Sequence, residues 1–491
     1  MPFNAPPLTL AAQAHPRRPA LIDGATVLDY AGLEAQVSEL AGRLAAHGIR
    51  PGDRVAVLLD RSAAAVRLVH AVGRLGALLV PLNTRLTADE MRWQVEKAGC
   101  RAALSTLPAS PLAEALPLDA LPAPVPAPPA AVEMETPFGI LFTSGTTGRP
   151  KGALLTWGNL FWSAVASAFR LGALPDDRWL LTLPLYHIGG LSILIRSALY
   201  GSAVALPGFA DDRFDLAALW QRLHADRVTL VSLVPTIFYR LLEAHPKGTD
   251  WPASLRLILL GGAAVTPETR QAALKAGLPL AVTYGLSEAA SQVATATPEE
   301  TRAKPGTVGK PLMGTRLRVV DADGRDRPAG EIGEVLVSGP TVMRGYDGDP
   351  QATARALQGG WLHTGDLGYL DADGDLWIVQ RRSDLIVSGG ENVYPAEVEA
   401  VLREHPAVAE ACVVGLPHPE WGQQVAAAVT LRRGAAVSGE ALRAFLRGRL
   451  AGYKIPRRIA ILPSLPQTAS GKIVRRRVAE ILESDEQEKD D

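Results

Sequence analysis

Short apolar runs alternate with segments of helical periodicity in the first half of this chain. Residues 27–48 carry leucine and valine at three- and four-residue spacing before Gly48, which predicts a helix that ends there. Residues 55–59 and 77–81 are apolar runs of strand length, and residues 62–75 between them again have helical spacing. Because strands that alternate with helices usually pair in parallel, this pattern predicts an α/β domain with a largely parallel sheet.

The alternation continues farther along the chain, where apolar runs end in residues that suit a ligand site. Runs at 229–234, 255–260 and 280–283 predict three more strands. Two glycines follow the second run, and Tyr284 and Gly285 follow the third. Glycine lets a flat ligand lie close to the backbone. Sheets of this kind bind ligands beyond the carboxyl ends of their strands, so we expect a ligand site at this edge.

The stretch LFTSGTTGRPKG, residues 141–152, concentrates hydroxyl groups, glycines and two cations in one short loop. Hydroxyl donors beside backbone N–H groups, with Arg149 and Lys151 nearby, are the chemistry of a phosphate cradle. The spacing does not match the phosphate loop of P-loop NTPases. An apolar run at 138–142 and helical spacing at 156–170 predict that the loop joins a strand to a helix. The alternative is a flexible surface loop, which most clusters of glycine, serine and threonine are.

From residue 304 the pattern changes to short β-type runs that are separated by glycines, such as 333–338. This texture predicts an antiparallel, barrel-like β subdomain over residues 304–380. Four aspartates between 366 and 375 raise the question of a calcium site, but the twelve-residue loop pattern with its closing glutamate is missing. We expect a hairpin turn at 371–374 instead.

A smaller unit follows a short connection at 381–384, which we interpret as a hinge after a large domain over residues 1–380. Residues 385–480 alternate helix-type and strand-type segments and predict a small α+β domain. Near its end, residues 468–472 form a second Gly-Lys loop, TASGK. The charged stretch 481–491 is predicted to be a disordered tail.

The composition argues against several functional classes. The net charge is −1, so no basic excess favours nucleic acid or an anionic membrane surface as a partner. Only Cys100 and Cys412 are present, which argues against a disulfide framework or a cysteine metal cluster and suits a reducing cytosol. No uncharged apolar run reaches the length of a membrane span. Pro6 and Pro7 interrupt the region where a signal peptide needs an apolar core, so we expect a soluble cytoplasmic protein.

The segment TSGTTGRPKG, residues 143–152, resembles the nucleotide loop of the acyl- and aryl-adenylating enzymes. Further stretches resemble motifs of the same superfamily in the same order, namely YGLSE at 284–288, HTGDLG at 363–368 and TASGKI at 468–473. The likeness covers residues 10–480. It implies a large N-terminal domain of mostly parallel α/β sheets with a barrel-like β subdomain, followed by a small, mobile α+β C-terminal domain. The implied activity is that of a freestanding acid–CoA ligase, which uses ATP, Mg²⁺ and coenzyme A.

The resemblance also implies which residues contact ATP. The phosphates would be held by Thr143, Ser144, Gly145, Thr146, Thr147, Gly148 and Lys151. The adenine would lie against Gly261, Gly262, Ala263 and Tyr284, with Thr283 and Gly285 as further nucleotide contacts and Ser287 near the α-phosphate. Asp366 would accept hydrogen bonds from the ribose, with support from Arg381. Glu288 would help to bind Mg²⁺, which neutralises the leaving pyrophosphate.

The resemblance assigns two loops of the C-terminal domain to the two half-reactions. Lys472 would stabilise the charge that develops when the carboxylate oxygen of the acid attacks the α-phosphate. After a rotation of the domain, a different loop would lie beside the thiol of coenzyme A, and it consists of Ser388, Gly389, Gly390 and Glu391. The hinge residue of the family is commonly Asp or Lys, whereas this chain has Ser383 followed by Asp384. The hinge residue therefore stays open between these two.

Three stretches, at 183–201, 283–295 and 381–399, are most similar to a bacterial branch of the superfamily that joins 2-succinylbenzoate to coenzyme A in menaquinone synthesis. Such an acid carries an aromatic ring and two carboxylates. The carboxylate that is not activated needs a polar or cationic anchor in the pocket. The candidate anchors are Ser192, Arg196, Ser291 and Gln292, and His187 is a candidate catalytic residue and pocket wall.

Several alternatives stay open at this point. Arg196 stands in an apolar segment where a buried guanidinium is costly unless paired, so it either binds an anionic substrate or pairs with a carboxylate, or it extends to the surface. His187 is alternatively a hydrogen-bonded core histidine. The protein is alternatively a ligase for another aryl acid or a fatty acid, or a non-catalytic adenylate-binding protein. Homodimers occur in the superfamily, so a homodimer is a further expectation.

Overall fold

The structure, a computed structural model, describes residues 5–490 with gaps at 87, 144–149, 245–249, 263–264, 382–385, 389–390, 394, 419–421, 448, 451 and 469–470. The chain divides into two compact units. The first consists of Met1–Arg318, Leu336–His363 and Asp371–Trp377, and the second of Val319–Val335, Thr364–Leu370 and Ile378–Asp491. The second unit thus takes in three segments of the predicted 304–380 subdomain, the last of them residues 378–380. Three of the four predicted hinge residues lie outside the described residues.

The helices of the described chain are short to medium in length, and none of them is both long and apolar enough to cross a lipid bilayer. They are α1 Pro7–Ala14, α2 Tyr30–Ala46, α3 Ala63–Arg74, α4 Ala88–Ala98, α5 Trp157–Leu171, α6 Ile188–Tyr200, α7 Leu216–Ala225, α8 Pro235–Glu243, α9 Pro267–Lys275, α10 Pro298–Ala303, α11 Pro350–Ala356, α12 Pro395–Glu404, α13 Gly439–Leu446 and α14 Arg475–Asp490.

The strands of the described residues form four sheets. In the first 300 residues they are β1 Pro19–Asp23, β2 Thr26–Asp29, β3 Arg54–Leu58, β4 Leu78–Pro81, β5 Ala102–Ser105, β6 Leu116–Pro117, β7 Pro137–Thr143, β8 Lys151–Thr156, β9 Arg178–Leu180, β10 Ala203–Ala205, β11 Leu230–Leu233, β12 Leu257–Leu260, β13 Leu280–Leu286 and β14 Ser291–Ala296. The later strands are β15 Lys310–Pro311, β16 Arg316–Val320, β17 Gly333–Ser338, β18 Gly345–Tyr346, β19 Leu357–Gln358, β20 Trp361–Leu370, β21 Leu376–Arg381, β22 Ile386–Ser388, β23 Glu391–Val393, β24 Val408–His418, β25 Gly422–Leu431 and β26 Arg458–Ile461.

The largest sheet has nine strands in the order β15-β14-β13-β12-β11-β9-β10-β1-β2. Its centre from β1 to β13 is parallel, as the alternation of strands and helices predicts. Leu233 pairs with Leu260 and Leu260 pairs with Val282, so the carboxyl ends of β11, β12 and β13 lie side by side. One face of the sheet packs on a fully buried core that includes Phe238 and Leu223. The register therefore brings the segments after these three strands to one edge.

A second sheet has seven strands in the order β18-β8-β7-β4-β3-β5-β6, with a parallel centre of β7, β4, β3 and β5. Here the structure corrects one prediction: the stretch after β7 does not join a strand to a helix but joins β7 to the antiparallel strand β8, and Thr143 pairs with Lys151. Strand β8 was not predicted because no turn separates it from α5. Thr156 ends the strand and is also the N-cap of α5, where Asn159 completes a capping box. Strand and helix thus follow each other without a turn.

A five-stranded sheet has the order β16-β17-β20-β19, with β21 paired to β20, and it occupies the predicted β subdomain. The predicted hairpin turn at 371–374 is confirmed, because Asp371 N donates to Asp375 O at 3.0 Å and Gly374 N donates to Asp371 O at 3.0 Å. Three aspartates of this turn, at 371, 373 and 375, face one another. The cation among them is an ammonium: Lys304 Nζ donates to their carboxylates at 2.9, 2.5 and 2.7 Å.

Replacing this lysine by an apolar residue, Lys304→Met, is expected to lower the stability of the protein at neutral pH, because three carboxylates then lose the ammonium that they share. Among the described residues, Lys310 Nζ remains nearby, but it pairs with Asp375 alone, at 3.6 Å. Burial raises the pKa of Asp371, but hydrogen bonds from Lys304, backbone N–H groups and Trp377 outweigh it and hold this pKa at about 2. A carboxyl with a depressed pKa stabilises the fold above the pKa of the unfolded chain, and this contribution is lost as the pH falls through about 2.

The urea midpoint of the Lys304→Met variant should therefore lie below that of the wild type at pH 7, and the difference should shrink between about pH 4 and pH 2. Arg325→Met is the matched control, because Arg325 pairs with a single exposed aspartate, Asp323, on another surface turn. A difference between wild type and Lys304→Met that stays constant over the whole pH range would contradict the assignment.

The C-terminal sheet has the order β23-β22-β25-β24, with β26 paired to β25, and it packs against α12 and α13 over a core that includes Val398 and Leu442. The predicted disordered tail over 481–491 is corrected, because α14 continues to Asp490. Val478 and Leu482, one turn apart, are fully buried and hold this helix to the domain. Charged residues are compatible with this helix, because its first turns, before residue 481, carry the exposed ion pair Arg476–Glu480.

Candidate active site

Glu288 is the centre of the polar cluster in the first unit. It lies on a single 3₁₀ turn, Ser287–Ala289, directly after β13, and its side chain is half-buried. Tyr346 Oη donates to Glu288 Oε1 at 3.0 Å, and Thr143 Oγ1 donates to the same oxygen at 3.3 Å. Among the described residues, Oε2 accepts no hydrogen bond. The arrangement thus fixes the carboxylate through one oxygen and leaves the other for a ligand.

The two flanks of the glycine-rich loop reach this cluster. Thr143 ends β7 and Lys151 begins β8, and the two residues are partners in the ladder. Lys151 Nζ lies over the ring of Tyr346, 5.4 Å from its centroid. The predicted phosphate contacts Ser144, Gly145, Thr146, Thr147 and Gly148 lie outside the described residues. Of the predicted loop residues, the structure therefore places Thr143 and Lys151 beside Glu288.

Tyr346 is a site residue that sequence reasoning missed. It belongs to the two-residue strand β18, which pairs with β8 so that Tyr346 stands opposite Ala153. A strand this short leaves no periodic signal, and a tyrosine after Arg344 and Gly345 has many structural uses. Only the pairing of β18 with β8 shows that its hydroxyl reaches Glu288.

The predicted adenine contacts lie at the edge formed by β12 and β13. Gly261 follows β12, and a Cβ added to it would lie 2.7 Å from Thr283 Cγ2, so the two strand ends approach closely. A Cβ on Gly285 would lie 1.8 Å from the carbonyl oxygen of Ser291, which makes glycine a requirement of the β13–β14 pairing. Tyr284 and Gly262 belong to the same edge, and Ala263 is outside the described residues. Gly261 and Gly285 therefore have a structural role in strand packing, apart from their predicted contacts with the nucleotide.

Arg196 is buried in the middle of α6, with only 2% of its surface exposed. Burial lowers the pKa of its guanidinium, and the nearby Tyr200 opposes this effect. Arg196 Nη2 donates to Ser163 Oγ at 3.1 Å, and the guanidinium lies 5.8 Å from the ring centroid of Trp179. Within the described part of the chain no carboxylate pairs with it, and its Nε has no hydrogen-bond partner. The alternatives of a carboxylate-paired arginine and of one that extends to the surface are thus not supported.

Of the other predicted acid-binding residues, Ser192 and Gln292 are buried, whereas Ser291 and His187 are at least partly exposed. Ser192 is buried on α6 one turn before Arg196, and its hydroxyl donates to Gly189 O at 3.1 Å. Gln292 is buried on β14, where Nε2 donates to Thr295 Oγ1 at 3.3 Å and Oε1 has no hydrogen-bond partner among the described residues. Ser291 is half-buried next to it. His187 precedes α6 and is exposed, so the alternative of a core histidine is wrong.

The second unit holds the remaining predicted residues. Asp366 is buried on β20, and its backbone N–H donates to Thr364 Oγ1, which in turn donates to Val335 O. Arg381 ends β21, and its side chain lies outside the described part. Ser388 ends β22 and pairs with Glu391 at the start of β23, which makes the predicted coenzyme A loop the connection of a hairpin. Gly389 and Gly390 themselves are outside the described residues.

Lys472 is exposed at the end of a tight loop in the second unit. Lys472 N donates to Thr468 Oγ1 at 3.1 Å, and Thr468 N donates to Lys472 O at 2.6 Å. Gly471 lies between them with a φ of 77°, a left-handed conformation that glycine adopts without strain. These two hydrogen bonds tie Lys472 to Thr468, so the backbone of Lys472 is held in place while its side chain is exposed.

Arg475, three residues farther on, anchors the loop to the body of the domain. Its guanidinium makes a two-pronged ion pair with the buried Glu399 of α12 and donates to Val413 O at 2.8 Å. Glu399 Oε1 in addition accepts from Val413 N at 2.9 Å. The pair thus ties α12, β24 and the start of α14 together, three residues after Lys472 in the chain. Sequence reasoning missed both residues, because charged residues in helices are usually solvent-exposed.

Removing this anchor, Arg475→Met, is expected to lower the free energy of unfolding by about 2 kcal/mol, since it leaves a nearly buried carboxylate without its partner. It should also slow any step that depends on Lys472 more than steps that do not. The control is Arg476→Met, which removes a neighbouring arginine whose ion pair with Glu480 is exposed. Chemical denaturation and the rates of the two half-reactions measure these effects. Equal stabilities and rates of Arg475→Met and Arg476→Met would contradict the role of Arg475 as an anchor.

Comparison with known families identifies the class of protein. The sequence profile of the AMP-binding enzyme family matches residues 8–347, and that of the AMP-binding enzyme C-terminal domain matches residues 397–472. The chain therefore belongs to the AMP-binding enzyme family, as the sequence motifs indicate.

Individual relatives are similar over nearly the whole chain. A 2-succinylbenzoate–CoA ligase of Geobacillus kaustophilus is 42% identical over 482 residues, which cover 96% of each chain. The 2-succinylbenzoate–CoA ligase of Bacillus subtilis is 39% identical over 482 residues, which cover 94% of this chain and 95% of that one.

Solved structures confirm the predicted fold class. The o-succinylbenzoate CoA synthetase of Bacillus subtilis, in complex with its acyl-adenylate intermediate, superposes with a TM-score of 0.90 at 39% identity over 96% of this chain and 98% of that chain. ATP-bound MatB from Rhodopseudomonas palustris superposes with a TM-score of 0.88 at 29% identity over 98% and 99%.

Proposed function

We propose that this protein is an ATP-dependent 2-succinylbenzoate–CoA ligase of menaquinone synthesis. In the first half-reaction a carboxylate oxygen of the acid attacks the α-phosphorus of ATP and pyrophosphate leaves. In the second, the sulfur of coenzyme A attacks the carbonyl carbon of the acyl-adenylate, AMP leaves, and the thiol proton passes to solvent. The observation that carries the proposal is the 42% identity over 96% of both chains to a ligase of that name.

The cluster around Glu288 is the proposed nucleotide and magnesium site. Carboxylate and hydroxyl oxygens are hard ligands, and Mg²⁺ is typically bound by one or two carboxylates together with substrate phosphates and water. Glu288 with an unused Oε2 and the nearby hydroxyls fit this ion. Mg²⁺ would supply positive charge that neutralises the leaving pyrophosphate. Lys151 and the loop that it follows would bind the β- and γ-phosphates, and the edge formed by Gly261, Tyr284 and Gly285 would hold the adenine.

Asp366 and Lys472 are the proposed contributors from the second unit. A buried carboxylate on a strand suits the ribose hydroxyls, because hydrogen bonds to a charged acceptor are stronger than neutral ones. The exposed Lys472, whose backbone is hydrogen-bonded to Thr468, suits a charge that develops only in the transition state. We propose that a hinge at 381–384 lets the C-terminal domain bring Lys472 to the first step and the loop with Ser388 and Glu391 to the second.

The acid is proposed to bind with its unactivated carboxylate at Arg196. A guanidinium without a carboxylate partner among the described residues is costly in a buried place unless a ligand completes the pair. Ser192 on the same face of α6 and the free Oε1 side of Gln292 add polar groups nearby in the first unit. The exposed His187 at the start of α6 is the proposed wall of this pocket.

The two half-reactions can be separated to test this assignment. With ATP, Mg²⁺ and 2-succinylbenzoate but no coenzyme A, one equivalent of pyrophosphate should appear and the acyl-adenylate should be detectable by mass spectrometry. Addition of coenzyme A should then give the thioester and AMP. Pyrophosphate release no faster than in an acid-free control would contradict the proposal.

Two coarser expectations follow from the substrates and the family. ATP and coenzyme A are cytoplasmic metabolites, so we propose that the enzyme acts in the cytoplasm. The homodimer implied by the family resemblance stays a prediction, which a mass measurement in solution tests.

A further inference from the structure

A buried hydroxyl on α5 lies between Arg196 and the turn that carries Glu288. Ser163 is 1% exposed, and its Oγ accepts a hydrogen bond from Arg196 Nη2 at 3.1 Å. The same hydroxyl donates to the carbonyl oxygen of Ala290 at 2.6 Å. Ala290 is only two residues after Glu288 and is fully buried. The guanidinium, the hydroxyl and the carbonyl thus form one continuous chain of hydrogen bonds.

The backbone at the end of this chain is strained. Ala290 has a φ of 51° and Ser291 a φ of 104°, a left-handed region that residues other than glycine rarely adopt. Such conformations persist only where the surroundings impose them, and they occur preferentially at functional sites. The hydrogen bond from Ser163 holds the carbonyl group of Ala290, and it is therefore one of the contacts that impose the left-handed conformation. Ser163 therefore helps to set the direction in which the preceding turn presents Glu288.

We propose that Ser163 is a positioning residue that couples the binding of the acid at Arg196 to the binding of Mg²⁺ at Glu288. The inference rests on the proposed function, in which these two residues bind the distal carboxylate and the metal ion. Hydrogen bonds in a chain polarise one another, and a hydroxyl that accepts from a cation becomes a stronger donor. When a carboxylate fixes the guanidinium of Arg196, the donor geometry of Ser163 is fixed with it, and the strained turn is held more firmly.

Such coupling is reciprocal by thermodynamic necessity: if the acid tightens the binding of Mg²⁺ by a certain factor, Mg²⁺ tightens the binding of the acid by the same factor. The enzyme would therefore favour a state in which nucleotide, metal and diacid are all bound over states with one of them missing. A monoacid without the second carboxylate, such as benzoate, does not engage Arg196 and should leave the affinity for Mg²⁺ unchanged.

The test uses binding rather than turnover. Mg²⁺ is titrated calorimetrically into the full-length protein with an ATP analogue whose α,β-bridging oxygen is a methylene group, first without acid and then with 2-succinylbenzoate or benzoate. In the wild type, 2-succinylbenzoate should lower the half-saturating Mg²⁺ concentration about fivefold and benzoate should not. Ser163→Ala should raise this concentration about tenfold without acid and abolish the response to the diacid. Ser163→Thr, which keeps the hydroxyl, should restore both properties.

Ser167→Ala is the matched control. Ser167 lies one turn farther along α5 and is equally buried at 2% exposure, and among the described residues its side chain makes no hydrogen bond to the turn after Glu288. Equal Mg²⁺ affinities of wild type and Ser163→Ala would overturn the proposal, as would an equal loss in Ser167→Ala. A wild type that binds no 2-succinylbenzoate would instead refute the proposed function, and the acid-free comparison of wild type with Ser163→Ala would still decide whether Ser163 positions the metal ligand.

Discussion

Lys472→Ala is expected to slow adenylate formation by about 10²- to 10³-fold while the transfer of the acyl group from supplied acyl-adenylate to coenzyme A keeps most of its rate. Lys472 is exposed, and two hydrogen bonds with Thr468 hold its backbone in place. A cation held in this way stabilises charge that develops at the α-phosphate, and this charge exists only in the first step. The loss should therefore appear in the rate constant of the first half-reaction, with little change in the affinity for ATP.

Rapid-quench measurement of pyrophosphate release and a separate assay with synthetic acyl-adenylate resolve the two steps. Lys275→Ala is a suitable control, because it removes an exposed lysine at the end of α9. If both half-reactions of Lys472→Ala fell by the same factor, the lysine would have a general structural role and the assignment would be wrong.

Arg196→Leu is expected to lower kcat/KM for 2-succinylbenzoate by about 10²- to 10³-fold, because the distal carboxylate would be buried without a partner. Activity with benzoate, which lacks this carboxylate, should change little. The fold itself should not suffer, since the substitution removes a buried charge that no carboxylate of the described chain compensates. Replacing uncompensated buried charge with an apolar side chain is often neutral or stabilising.

The conservative variant Arg196→Lys separates charge from geometry. It should retain part of the activity, because an ammonium binds a carboxylate without the two-pronged geometry of a guanidinium. Substrate profiles and urea unfolding of the wild type and both variants give the comparison. Unchanged kinetics with 2-succinylbenzoate in Arg196→Leu, or a loss of stability without a change in substrate preference, would remove Arg196 as the anchor.

The fold was largely predictable because apolar runs and helical spacing are local signals. The alternation from residue 27 onward predicts the parallel centres of both large sheets, and the glycine-punctuated texture predicts the β subdomain. What the local pattern could not give is pairing between distant segments. Strand β8 ends at Thr156, the N-cap of α5, and it can be recognised as a strand only from its pairing with β7 and β18. The helix at the end of the chain likewise depends on two buried side chains, Val478 and Leu482, within a charged stretch.

The candidate site was predictable where one motif carries the chemistry and was missed where tertiary contacts carry it. Glu288 and Lys472 stand in recognisable motifs, and the structure places Glu288 in a polar cluster and ties Lys472 to Thr468 by two hydrogen bonds. Tyr346 and Ser163 lack such a setting, and their roles appear only when a two-residue strand and a helix pack against the turn after β13. Single polar residues such as Tyr346 and Ser163 give no periodic signal in the sequence.

The central claim is the choice of acid, and competition between acids tests it most directly. Thioester formation should be measured with ATP, Mg²⁺ and coenzyme A for 2-succinylbenzoate, benzoate, coumarate, octanoate and palmitate, and kcat/KM compared. The account predicts a strong preference for 2-succinylbenzoate over every monoacid. A higher kcat/KM for any of the monoacids would contradict it, and the role of Arg196 as a carboxylate anchor would be lost with it.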